Sequence, residues 1–575
     1  MGSESYDFIV VGGGPAGCTL ATSLAKSAKR PSVLLIEAGA RNDDKLLKIS
    51  GKRWATFTEE GLNYGYKTTP QEHCGNRQID YSRGKCLGGS SAINFGVYAV
   101  GARDDYDQWA AELGDDTFAW KNMQLRFRAL ETFSAGKNPQ RQQYGQPDAT
   151  DHGDKGALKL EYVTEWEADL TRALDAFKEA GLPQNQDHNS GNPIGMGLTI
   201  NSTHNGVRTT AVDLINTAPD NLVIVADSPV RRVLLEGKKA VGVEAKGKQC
   251  NTKWIANLIL DLARNDVILS AGSLDTPKIL MHSGIGPANE LEKFQLPVVQ
   301  DLPAIGQGLR DHPFLTLMVT RKPETNDRNS FFQNEEAKAA AIKQWEADGS
   351  GPWARYGCQL GSGWFKSDRI TSSAEFQALP ADVQEFLNRE TIPHYEMITH
   401  FPVHMLMPQL FQDYSYICLA VFLMNGQTAG EVRLQSSNPE DPLLFDPHFL
   451  EHPFDRRVCI EMYRHLMELV EHPAFAKDTI SMVMAPKSKS DEDILQFARD
   501  NLSSSWHMTG TVKMGKPGDA SAAVDNCFRV FGIDNLRVAD MSVLPVLTNN
   551  HTQATAYVTG ATCADVLIRE YGLDG

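Results

Sequence analysis

From Tyr6 to Val11 the chain is apolar at every position except Asp7 and closes on β-branched residues, the pattern of a buried strand. It runs into Gly12-Gly13-Gly14-Pro15-Ala16-Gly17, after which Leu20, Leu24 and Ala28 recur at four-residue spacing. That change of period predicts a helix opening at Pro15, because proline suits the first helical turn. Ser32-Val-Leu-Leu-Ile-Glu37 predicts a second strand. Further along, residues 220–236 and 240–244 read as paired strands turning at Gly237-Lys238. Residues 335–390 are charged and helix-rich and read as a cover near a pocket mouth, whereas 394–424 alternate as sheet strands do. Ser490-Asp-Glu-Asp493 predicts the cap of a helix running to Asn501.

The opening strand–glycine–helix–strand unit carries chemistry. G-x-G-x-x-G after a strand suits a dinucleotide: Gly12 makes the tight turn, Gly14 lets backbone amides approach a pyrophosphate, and Gly17 lets helix and sheet pack closely. Pro15 and Ala16 open a helix whose free N–H groups and positive dipole end face the phosphates. Glu37, twenty residues beyond Gly17 and followed by Ala38, is placed to accept hydrogen bonds from an adenosine ribose. This unit alone does not separate FAD from NAD.

Composition narrows the field. The 575 residues are 41% hydrophobic and 22% charged, which suits a folded globular protein. A formal charge of −16 disfavours nucleic acid as the main partner. No apolar run reaches the roughly 18 residues of a membrane span, and the acidic start Met1-Gly-Ser-Glu-Ser-Tyr-Asp does not resemble a signal peptide. An intracellular, cytoplasmic location is therefore expected. Nine scattered cysteines without C-x-x-C spacing imply reduced thiols and no zinc site. His400 and His404 read as structural histidines with no metal, and neither a G-x-S-x-G elbow nor a phosphate loop of the G-x-x-x-x-G-K-[ST] type occurs.

Several longer blocks resemble the glucose–methanol–choline (GMC) oxidoreductases. They are Arg83-Gly-Lys-Cys-Leu-Gly-Gly-Ser-Ser-Ala-Ile-Asn94 with its continuation to Trp109, Gly272 to Gly286, Gly306-Gln-Gly-Leu-Arg-Asp-His-Pro313, Ser505-Trp-His507 to Gly515, Leu536 to Asp540 and Asn549-Asn-His551 to Tyr557. The resemblance implies an α/β chain in which a Rossmann-type FAD-binding domain is interleaved with a substrate-binding domain, built on an antiparallel sheet flanked by helices. The expected division is 5–315 for the N-terminal FAD-binding region, 316–424 for the substrate-binding region, and 425–569 for a C-terminal region that completes the FAD site. Around a flavin, Gly88 and Gly89 allow close backbone approach, with Ser90 available to phosphate or ribityl oxygens. By resemblance, Asn94 and the Phe95-Gly96-Val97 backbone lie near the redox edge, Val230 meets adenine through its backbone, and Asp540 meets the ribityl or phosphate region. A helix beginning near Thr552 would aim its positive end at the flavin. Ile93 stands where covalently flavinylated choline oxidases have histidine, so FAD is expected to be non-covalent.

His507 and His551 match the family's two active-site positions. A hydride leaves an alcohol carbon more easily as the hydroxyl proton departs, so a base near neutral pKa suits the step. His507 is assigned as that base and His551 as a hydrogen-bonding stabiliser of the same oxygen and as a cofactor contact, with the two roles open to exchange. Trp506 reads as core packing. The implied activity is oxidation of a small alcohol to a carbonyl, with natural-product biosynthesis as the setting suggested by intracellular fungal members. The rival class is a lyase, cyclase or photodecarboxylase sharing the fold. Photodecarboxylases pair a cysteine resembling Cys358 with an arginine, and residues 391–404 contain none. Formate oxidases have arginine where this chain has His551, which counts against formate. Neither the individual alcohol, the oligomeric state nor the electron acceptor is legible.

Overall fold

The structure is a computed structural model that describes residues 5–246, 258–260, 263–402 and 415–575. His404 and the middle of the expected 394–424 strand region lie outside the described residues. A five-stranded parallel sheet runs in the spatial order Leu536–Val538, Ala263–Leu269, Tyr6–Val11, Val33–Ile36, Leu222–Val225. Phe8, Ile9 and Val10 have no exposed surface: the helix that follows the first strand and the antiparallel strand Lys239–Ala245 both pack against the sheet. The first helix spans Pro15–Lys26 and stops there, since the Ser27 hydroxyl and backbone turn back onto the Leu24 carbonyl. It packs on the C-terminal helix Gln553–Glu570. The contact is backbone to backbone: a Cβ on Gly560 would lie 2.2 Å from the Ala16 carbonyl oxygen.

Only part of the expected hairpin over 220–244 is one. Val230–Glu236 pairs antiparallel with Lys239–Ala245, while Leu222–Val225 joins the parallel sheet instead. The second large element is a seven-stranded antiparallel sheet. Its main order is Thr479–Met484, Pro313–Arg321, Ser415–Leu423, Tyr395–Ile398, Gly361–Phe365, Gly195–Leu198. Ser503–Ser504 pairs with the start of Pro313–Arg321. Side chains alternate between the faces, as the two-residue period of a strand requires. Leu315, Leu317, Val319, Leu419 and Val421 enter the main core. Phe314, Met318, Cys418, Ala420 and Phe422 form a separate apolar cluster with Ile398 and Phe401, packed against Phe95 and Trp506. The same alternation puts Glu396, two residues before Ile398, on the Phe422 face.

The helices of 335–390 do not cover the pocket. Glu335–Asp348 buries Ala341 and Trp345 in a satellite cluster with Ile49, Phe331 and Trp353, and of residues 335–390 only Leu360 reaches the cleft described below. Ser490 does cap Asp491–Asn501, accepting from the Asp493 N–H at 3.2 Å.

Candidate active site

A cleft of about 890 Å3 runs from the glycine loop of the parallel sheet to the apolar face of the antiparallel one. Its floor is bare backbone. Gly12 has φ +106°, and a Cβ there would lie 2.3 Å from the Ser270 carbonyl oxygen. Gly89, at φ +52°, brings its Cα side against Gly14, where a Cβ would sit 2.7 Å from the Gly14 Cα. The two glycine loops thus meet with no side chain between them. No side chain caps the N-terminus of Pro15–Lys26 or of Gln553–Glu570, which leaves the N–H groups at the start of each helix free for an anion. Residues Gly12, Gly14, Pro15 and Ala16 line this end of the cleft, and Thr552 and Gln553 line it farther along, beside His551. These features fit the pyrophosphate and flavin of an adenine dinucleotide.

Glu37 and Asp540 flank the cradle. The Glu37 carboxylate accepts from the Gly13 N–H at 2.8 Å and the Gly39 N–H at 2.7 Å, so it also braces the loop. Burial pushes its carboxyl up to about 7 despite these bonds. Asp540 accepts from Gly272 N–H, Thr276 Oγ1 and Ser542 N–H, and burial raises it above the usual range. Asn94 Nδ2 donates to Gln553 Oε1 at 3.0 Å, tying the glycine–serine loop to the C-terminal helix.

The histidines stand at the opposite end. His507 follows Trp506, whose φ of +61° makes a sharp turn, and the Asp311 carboxylate holds that turn. It accepts from the His507 N–H at 2.8 Å, the Ser504 hydroxyl at 2.5 Å and the His312 N–H at 2.8 Å. Burial pushes the Asp311 carboxyl up to about 6. His551 is carried by Asn549 and Asn550. Asp105 accepts from the Asn549 N–H at 2.7 Å, and Asn550 Nδ2 donates to the Val100 carbonyl at 3.0 Å. The His507 and His551 rings are perpendicular with centroids 5.0 Å apart. His551 Nε2 meets Glu396 Oε1 at 3.0 Å. Ser362 Oγ also donates to that oxygen, at 2.9 Å, and Glu396 has no exposed surface. On the other side, His507 Nδ1 lies 3.1 Å from His312 Nδ1. Burial, then the neighbouring histidines and Arg83, keep His507 far below the ordinary imidazole range and so neutral.

Of the residues singled out by sequence, His507, His551, Glu37, Ala38, Ser90, Asn94, Phe95, Gly96, Val97, Val230 and Asp540 all line the cleft together with those named at the glycine loop and helix starts. Gly17 and Gly88 do not. Gly17 packs under the loop, where a Cβ would lie 2.0 Å from the Gly12 oxygen, and Gly88 turns the chain at φ +99°. Trp506 is a correction: it walls the cleft, its ring tilted against Phe57 with centroids 4.7 Å apart and its indole N–H on Asp80 at 2.7 Å. Cys358 is buried, its thiol pushed up to about 12 by burial. His400 pairs with Asp169 at 3.0 Å inside a cluster that includes Arg328. Sequence reasoning missed Arg83, Asp311, His312 and Glu396. Arg83 lines the cleft and donates to Ser90 Oγ at 3.0 Å and the Trp506 carbonyl at 2.5 Å. Three of the four sit inside the quoted blocks, which was the available signal.

Two family models described as GMC oxidoreductase match residues 6–314 and 426–560. Patulin synthase of Penicillium expansum is 29% identical over 586 aligned positions, covering 96% of this chain and 90% of that protein. Pyranose dehydrogenase 3 of Leucoagaricus meleagris is 31% identical over 578 positions, covering 98% and 92%. Among solved structures, a formate oxidase of Aspergillus oryzae RIB40 superposes with a TM-score of 0.89 at 25% identity, covering 100% of this chain and 99% of that one.

Proposed function

The chain belongs to the GMC oxidoreductase family, and from that premise we propose that it oxidises an alcohol to a carbonyl with His507 as the base. The observation that carries this reading is the perpendicular pair His507 and His551, 5.0 Å apart between ring centroids, at the far end of a cleft whose other end is a dinucleotide cradle. Glycines 12, 14 and 89, Ser90, Asp540 and the two uncapped helix starts would hold FAD. FAD bound there supplies the acceptor for the hydride released from the carbinol carbon.

The chain's own residues manage the proton. His507 is neutral and takes the hydroxyl proton at Nε2, the nitrogen not engaged by His312. His551 adjoins the same oxygen, its ring oriented by the contact of Nε2 with the buried Glu396 carboxylate, as a carboxylate orients the ring in other histidine dyads. Phe401, Phe422, Ile398 and Leu360 exclude water from the reacting carbon and favour an apolar or aromatic alcohol. Ile93 in place of a histidine supports non-covalent FAD, which acid precipitation should release entirely into the supernatant. The likeness to patulin synthase supports a place in natural-product biosynthesis.

The test is anaerobic mixing of the yellow holoenzyme with benzylic, allylic and primary alcohols, and with formate. Bleaching of the flavin band by an alcohol, and not by formate, is expected. His507→Ala should slow that bleaching by about 10²–10⁴-fold with FAD still bound. A flavin untouched by every alcohol, or a His507→Ala protein that bleaches as fast as the parent, rejects the assignment.

A further inference from the structure

His312 precedes the strand Pro313–Arg321, and its ring has no exposed surface. Its backbone is fixed: the N–H donates to Asp311, and the carbonyl accepts from the Ser505 N–H at 3.1 Å and the Ser505 hydroxyl at 2.5 Å. Among the described residues the ring's one hydrogen-bonding contact is Nδ1 to His507 Nδ1 at 3.1 Å, with the ring planes at 89°. Its Nε2 is buried without a partner among the described residues. A close contact between two imidazole nitrogens needs one proton between them; none leaves two lone pairs face to face, and two collide. Burial, and after it the nearby His551, push His312 down to about 3, and His507 is likewise neutral. The two rings therefore share a single proton, and two arrangements satisfy the contact. If His312 owns the proton, His507 is protonated at Nε2 and offers a donor to the cleft. If His507 owns it, the Nε2 lone pair faces the cleft.

We propose that His312 is a positioning residue that accepts the Nδ1–H of His507 and thereby holds its Nε2 free to receive the substrate proton. The inference rests on the reading of His507 as base. Only that arrangement lets His507 serve as the base, since an Nε2–H facing the cleft carries no lone pair for the substrate proton. The unpartnered Nε2–H this leaves on His312 is a buried polar group of the kind that persists at functional sites.

Holoenzyme labelled with 15N in its histidine rings reports the tautomer directly, His507 being identified by its missing signals in His507→Ala. The expected result is a protonated Nδ1 and a bare Nε2. A proton on Nε2 overturns the proposal. Two variants test the consequence. His312→Asn keeps an acceptor oxygen near the place of Nδ1 and should reduce the flavin within about 3-fold of the parent; His312→Leu fills the space without an acceptor and should be slower by about 10²-fold at unchanged FAD content. If His312→Leu matches the parent while His507→Ala is slow, or if His312→Asn is as slow as His312→Leu with FAD bound, His312 does not act as the acceptor. If His507→Ala itself reduces the flavin normally, the base assignment fails instead. Should His312→Leu not fold, the ring spectrum and the His312→Asn rate still decide.

Discussion

His312 and His152 are both buried, yet their surroundings hold them in opposite charge states. His312 faces another imidazole and is driven neutral. His152 lies between Glu131 at 3.0 Å and Asp187 at 3.1 Å, and these two carboxylates outweigh burial and raise it to about 9. A group raised from 6.5 to about 9 on folding stabilises the fold fully below pH 6.5, and that contribution is lost as the pH climbs through about 9. The stake is on the order of 3 kcal/mol. Denaturant unfolding of the parent and of His152→Gln should therefore show a wide stability gap near pH 6 that closes by pH 10; a gap of constant width would mean the ring is not charged in the fold. A residue's place in the cleft was legible where chemistry and local spacing coincide, as at Gly12, Gly14 and Glu37, and through the family resemblance at His507. Glu396 was not, because its partner His551 lies 155 positions away and only the strand's face alternation brings them together.

At the scale of elements, the first and last helices both begin at the cleft and cross where Gly560 touches the Ala16 carbonyl. That crossing sets the distance between the pyrophosphate end and the flavin end of the site. Gly560→Ala puts a methyl 2.2 Å from a backbone oxygen, so the helices must separate. Overpacking of this kind costs about 1–3 kcal/mol, and the variant should melt earlier and retain less FAD through gel filtration. Unchanged melting and occupancy would mean that the crossing does not govern the site. The strand Tyr6–Val11 and the helix after it were readable because a local period suffices to define them. The helix Glu335–Asp348 was readable as a helix but misplaced as a cover, since its pattern reveals an apolar stripe and not the Ile49–Trp353 surface it covers. The strand Gly361–Phe365 went unread: its Gly-Ser-Gly start lacks strand-forming residues, and its neighbours in the sheet supply the order.

Over the whole molecule, the order of motifs along the chain was plain, whereas the weaving of two sheets from distant segments was not. The antiparallel sheet draws strands from Gly195 to Ser504, and the parallel sheet opens at Tyr6 and closes only with Leu536–Val538, paired to Val267–Leu269. Asp540 and the helix at Thr552 lie beyond even that closing strand. A chain ended after Asn535 should accordingly be recovered colourless, and a truncated protein that keeps its flavin would contradict this. During synthesis the consequence is one of timing. The glycine loop leaves the ribosome long before the strand, acid and helix that finish its pocket. Until those segments emerge the nascent chain is an apoprotein, and acquiring the cofactor waits on them.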